Sequence, residues 1–136
     1  MTQLPDGVYL NTPGVASVSW QEDGRLVFVE WEGWANSAEF AALLDAELRA
    51  LKEHRGSRLL ADCRRQKVLN PKDQDLANRE WLPSALKAGL KRFAIVVPAS
   101  VVAEMNIRDS LDKAVGADLQ VGYFATVEEA REWVAG

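Results

Sequence analysis

The residues best equipped for chemistry fall in one short run, Asp62-Cys63-Arg64-Arg65, with Asn70 and Asp73 a few positions on. They combine a carboxylate, a thiol and two guanidinium groups. Leu59-Leu60-Ala61 just before them reads as a buried strand, so the run falls at a strand's C-terminal end. Open α/β sheets bind their ligands in the crevice there. Asp62, Cys63, Arg64, Arg65, Asn70 and Asp73 are therefore the ligand-binding candidates, with apolar walls expected from Val101, Val102 and Met105. Quieter roles compete with that one. Asp62 can cap its own loop by accepting backbone N–H bonds, and Arg64, Arg65 and Lys67 suit a solvated turn better than a phosphate site.

No catalytic residue is assigned. Cys63 would need a neighbouring base to lower its thiol pKa. The one histidine, His54, ends the preceding helix near the opposite end of the strand, and so is expected to lie far from Cys63. One histidine with one cysteine is a poor donor set, and no spacing matches a metal motif, so no metal and no cofactor is expected. There is no glycine-rich phosphate loop and no Gly-x-Ser-x-Gly elbow.

The elements that must position these residues are legible. Ala16 to Trp20 alternates apolar and polar residues, as a half-solvated strand does. Asp23-Gly24 signals a hairpin turn into a second strand, Leu26 to Trp31, whose LVFV run is apolar on both faces and belongs deeper in the sheet. Asn36 with Glu39 forms a capping-box pattern, and Phe40, Leu44, Leu48 and Leu51 are the expected buried stripe of a helix reaching about Glu53. Arg58 to Ala61 is the third strand. A helix starts near Pro71, breaks or kinks at Pro83 and stops at Gly89. Phe93 to Val97 is the fourth strand and the candidate for the sheet centre. Ser100 opens a short helix, and Asn106 caps another reaching Val115, with Ile107, Leu111 and Ala114 inward. Leu119 to Phe124 is the fifth strand, and Thr126 with Glu129 caps a last helix whose Val127, Ala130 and Val134 face inward. The order is ββαβαβαβα: a single α/β domain over 16–136, with a mixed, mostly parallel five-stranded sheet led by an antiparallel hairpin. Residues 1–15 read as an arm lying on it.

Five tryptophans are many for this length. Trp20, Trp31 and Trp34 cluster around the hairpin and the loop after it, and are the interface candidates. Trp20 and Trp31 also suit core positions beneath the sheet, whereas Trp34, between Gly33 and Ala35 in a loop, suits a contact surface. Trp81 and Trp133 fall on inner helix faces.

This pattern resembles the STAS domain, the fold of bacterial anti-sigma-factor antagonists, and in particular its divergent STAS-like or SEC14-like branch of small bacterial proteins. The resemblance spans roughly residues 16 to 135. It rests on Leu60-Ala61-Asp62, the helix start Asn70-Pro71-Lys72-Asp73-Gln74, Lys87-Ala88-Gly89-Leu90-Lys91 before Phe93 to Pro98, and Tyr123 to Ala130 with Trp133. It implies a non-enzymatic regulatory or protein-interaction module. The SEC14-like side implies an alternative, a small-molecule or lipid-binding domain. Antagonist STAS domains carry a phosphorylated Ser or Thr at the corresponding helix start. Here no hydroxyl residue occurs from Cys63 to Arg79, so that switch does not transfer.

Composition narrows the partners. With 16 basic and 20 acidic residues the net charge is −4, which suits neither nucleic acid nor an anionic membrane surface. One cysteine excludes an internal disulfide. No secretory signal and no membrane-length apolar run is present, so a cytoplasmic protein is expected. A protein partner, self-association through the uncharged Ser17/Ser19 strand face, or a small ligand remain as partners.

Overall fold

The computed structural model describes residues 7–67, 70–102 and 119–135. Its strands are β1 (Val8–Thr12), β2 (Ala16–Gln21), β3 (Leu26–Trp31), β4 (Arg58–Asp62), β5 (Arg92–Val96) and β6 (Gln120–Phe124). They form one sheet in the order β1-β2-β3-β4-β5-β6. The first three pair antiparallel and the last four parallel.

The sheet has six strands among the described residues, where five were expected. The additional one is Val8–Thr12, within the expected arm. It is an edge strand with a register shift between Val8 and Leu10. Such a strand is made by pairing with its neighbour and carries no clean burial alternation for a sequence reading to detect. β5 lies between β4 and β6, one place in from the edge, so the centre of the sheet falls at β3 and β4. The expected capped helix from Asn106, with Ile107, Leu111 and Ala114, lies outside the described residues, as does Met105.

The hairpin turns at Gly24 (φ 84°) and Arg25 (φ 48°). Arg25 is held in this left-handed conformation by its own contacts: its guanidinium reaches the Glu22 carboxylate at 3.2 Å and the His54 carbonyl at 2.7 Å. α1 (Ser37–His54) starts on the expected capping box, with Asn36 Oδ1 accepting from the Glu39 N–H at 2.8 Å and Glu39 Oε1 accepting from the Asn36 N–H at 3.0 Å. Its buried face is Phe40, Leu43, Ala46, Glu47, Ala50 and Leu51. Leu44 and Leu48 are only partly buried, which turns the helix by about one residue from the expected stripe.

α2 (Pro71–Leu76) and α3 (Leu82–Lys87) are joined by a π-helical turn, Ala77–Trp81. The cause is Pro83. It has no N–H to give the preceding turn, and its ring crowds the carbonyl four residues back. The chain widens instead, and the Leu82 N–H donates five residues back to Ala77. Gly89 (φ 115°) ends α3 before β5. α4 (Val127–Ala135) begins at Thr126, whose hydroxyl accepts from the Glu129 N–H at 3.2 Å.

Side chains alternate along the strands, so the inner strands β3 to β5 feed a core on each face, while β1 and β2 feed only one. Val18, Trp20, Val27, Val29, Trp31, Leu59 and Ala61 meet α1 on one face. Leu26, Leu60, Ala94 and Val96 meet Ala130 and Val134 of α4 on the other. Asn36→Ala removes the side-chain half of the α1 cap, and should lower unfolding free energy by about 1 kcal/mol in a urea titration. An unchanged midpoint would show that the cap is not formed in solution.

Candidate functional site

The period of two along β4 divides the Asp62 to Arg65 run. Asp62 follows Leu60 onto the α4 face, while Cys63 follows Ala61 onto the α1 face. Asp62 is occupied by its own turn. Its Oδ1 accepts from the Arg64 N–H at 3.2 Å and from Arg64 Nε at 3.0 Å, and Oδ2 accepts from Arg64 NH2 at 2.8 Å. The Arg64 hydrogen bonds hold the Asp62 carboxyl below its usual range despite partial burial, with the nearby Arg65 charge adding to the effect. Asn70 caps α2 by accepting from the Lys72 N–H at 2.9 Å. Asp73 accepts from the Ser37 hydroxyl at 2.9 Å and ties the start of α2 to the start of α1. Of the six candidates, only Cys63 opens onto the concave space beside the sheet.

That space is a cavity of about 360 Å³ between the α1 face of the sheet and the α2–α3 segment. Trp31, Ala61, Cys63, Phe93, Ile95, Val121 and Tyr123 of the sheet layer form its floor. Phe40, Leu43, Leu44 and Glu47 of α1 form one wall, and Gln74, Ala77, Asn78, Trp81 and Leu82 form another. The π turn sets the second wall. Trp81 is anchored there by its indole N–H, which donates to the Leu44 carbonyl at 2.8 Å. A chamber of this size with mainly apolar walls and a few polar groups is what small-molecule sites look like.

Among the described residues three titratable groups line it, Glu47, Cys63 and Tyr123. Glu47 is buried, with 5% of its surface exposed. No hydrogen bond or ion pair to another described residue reaches its carboxyl, and burial pushes its pKa up to about 8. The Cys63 thiol is pushed up to about 12 by burial, then by the neighbouring Glu47 and Asp62 carboxyls. It is a protonated thiol at neutral pH, the reverse of an activated nucleophile. His54 is engaged elsewhere, stacked on Trp20 with ring centroids 4.3 Å apart. Among the described residues no group of three or more His, Cys, Asp or Glu could hold a metal ion.

Glu47 was missed by the sequence reading, although a signal was there. It falls four residues after Leu43 and four before Leu51, in the middle of the apolar stripe of α1, where a carboxylate is out of place. The tryptophans separate by burial. Trp20 is buried, its indole N–H donating to Glu22 at 2.8 Å. Trp31 is buried and floors the cavity. Trp34 is 52% exposed, on the loop between β3 and α1. The expected walls Val101 and Val102 are not among the cavity's lining residues.

A family model described as SpoIIAA-like matches residues 26–135. No curated protein matches the chain by sequence. Among solved structures, the chain is similar to an anti-sigma factor antagonist from Mycobacterium paratuberculosis, with a TM-score of 0.55 and 17% identity, covering 93% of this chain and 100% of that one. It is also similar to an uncharacterised protein of the DUF3478 family with a SpoIIAA-like fold from Shewanella loihica, with a TM-score of 0.58 and 15% identity over 98% of both chains. At these identities the likeness is one of fold.

The buried carboxyl makes stability depend on pH. Unfolded, Glu47 ionises near its ordinary 4.5; folded, it holds its proton to about 8. The unfolded state therefore gains stability relative to the folded state as pH rises through that window, and the trend stops above it. The cost to folding at pH 7 is on the order of 3 kcal/mol. Glu47→Gln should be more stable than wild type at pH 8 and close to it at pH 5, read from urea midpoints. Equal differences at the two pH values would mean that the carboxyl is solvated.

Proposed function

The chain belongs to the SpoIIAA-like family, and from that premise we propose that it is a non-enzymatic regulatory module that takes a small, largely apolar molecule into the cavity beneath its sheet. The observation that carries this reading is the cavity itself, lined by Trp31, Phe40, Trp81 and Phe93 and floored by the strands that define the fold. Two further features support a binding role over a catalytic one. The Cys63 thiol is held protonated, and Asp62 is committed to Arg64. Bound ligand would stiffen the contact between the π turn and α1 through Trp81 and Leu44, and so reach the outer surface of α2.

A regulatory module must also present a surface. The exposed Trp34 favours a second element of the proposal, docking of a protein partner or a second copy of the chain at the β3–α1 loop. One solved structure of similar fold is an anti-sigma factor antagonist, which agrees with a regulatory role. A cytoplasmic setting belongs to the same proposal. Among the described residues no helix is long and apolar enough to cross a membrane.

The neutral fluorophore N-phenyl-1-naphthylamine tests the cavity directly. Wild type should bind it with a rise in emission and in melting temperature. Ala77→Phe, which places a ring in the chamber from the π turn, should weaken binding at least tenfold while the protein stays folded. Absence of dye uptake by wild type would sink the cavity reading.

Trp34→Ala should leave stability within about 0.5 kcal/mol, as for an exposed position without structural partners. It should also leave dye binding intact. Any self-association of wild type seen by sedimentation should weaken in the variant, and unchanged association would remove Trp34 from the interface.

A further inference from the structure

Resting on the cavity reading above, we propose that the ligand is a hydrophobic organic cation, an amine or quaternary ammonium, whose charged head lies against Glu47 and whose apolar body fills the aromatic chamber.

Charge complementarity carries the argument. Glu47 enters the cavity from the middle of α1 with no hydrogen bond or ion pair to a described residue. A carboxyl in that position, mostly removed from water, has no counter-charge among the described residues. The described residues that share the cavity include no lysine, arginine or histidine. The titratable groups that do share it are the Cys63 thiol from the end of β4 and the Tyr123 phenol from β6, and neither carries positive charge in either protonation state. The described walls supply no countercation, and in this proposal the ligand brings it.

The walls suit the same head group. Trp31 and Trp81 present indole rings, and Phe40, Phe93 and Tyr123 add further aromatic surface. Aromatic faces attract ammonium groups through the ring quadrupole, more strongly once water is excluded, and tryptophan is the best of them. An anionic ligand would meet Glu47 as a like charge. A neutral apolar ligand would fill the chamber and leave the carboxyl unsatisfied.

The pairing has a proton signature. Glu47 holds its proton to about 8, so a permanent cation must displace that proton to form the ion pair. Affinity should rise about tenfold per pH unit from pH 6 to 7, flattening as pH passes about 8. A ligand that makes no use of the charge shows no such slope.

The experiment is displacement of N-phenyl-1-naphthylamine by benzyltrimethylammonium and by its uncharged isostere, neopentylbenzene, at pH 6, 7 and 8, with decanoate as an anionic control. Wild type should prefer the cation to the isostere at least tenfold at pH 8, with the predicted slope. Glu47→Gln should lose both the preference for the cation over the isostere and the slope. Should Glu47→Gln not fold, the wild-type slope decides alone. Equal affinity for cation and isostere, a flat pH profile, or tighter binding of decanoate would each overturn the cation proposal while dye binding keeps the cavity reading intact. Failure of wild type to bind dye would overturn both.

Discussion

Four parallel strands must be covered on both faces, and the rest of this structure follows from that requirement. β3 to β6 cannot leave one face to water as an antiparallel sheet can, because their connections must cross back over the sheet. The α4 side is met compactly, with Leu60, Ala94 and Val96 against Ala130 and Val134. The opposite side is wider. α1 covers the antiparallel part and β3, and the cover next to it comes from a segment that Pro83 divides. The cavity lies where these two covers meet over β4, β5 and β6.

The same geometry accounts for the electrostatics. Position 47 must face inward because α1 is oriented by Phe40, Leu43, Ala50 and Leu51. A carboxylate there would be left uncompensated by the described residues, so the group keeps its proton, and Cys63 beside it keeps its own. At the end of β4 one residue earlier the outcome reverses. Asp62 emerges at the C-terminal end of β4, where Arg64 can fold back onto it, and its carboxyl stays ionised. Two acids thus hold different protonation states at neutral pH, one neutral and one ionised, set by which face of β4 or α1 each side chain leaves.

Much of the fold was legible because its signals are local. The hairpin turn at Gly24, the α1 capping box, the disruption caused by Pro83 and the stop at Gly89 all appear where the residue types place them. These depend on backbone angles and hydrogen bonds within a few residues. The β1 edge strand was not legible, since Val8–Thr12 owes its conformation to β2. The buried stripe of α1 was read a residue off. Leucine outranks alanine and glutamate on any hydrophobicity count, yet the close approach of helix and sheet selects Ala46 and Ala50 for their size.

The sequence alone determined an α/β domain with a parallel run led by a hairpin, and among the described residues the boundaries and capping groups of α1, α2 and α4. It also placed Asp62 and Cys63 at a strand end. Only the tertiary structure decided that Asp62 and Cys63 part to opposite faces, and that Glu47 joins Cys63, Trp31 and Trp81 around one chamber. The physical reason is range. Turns and caps are settled by neighbours along the chain. A cavity and the charge state of an acid within it depend on residues brought together from α1, the α2–α3 segment and four strands, whose spacing no local pattern records.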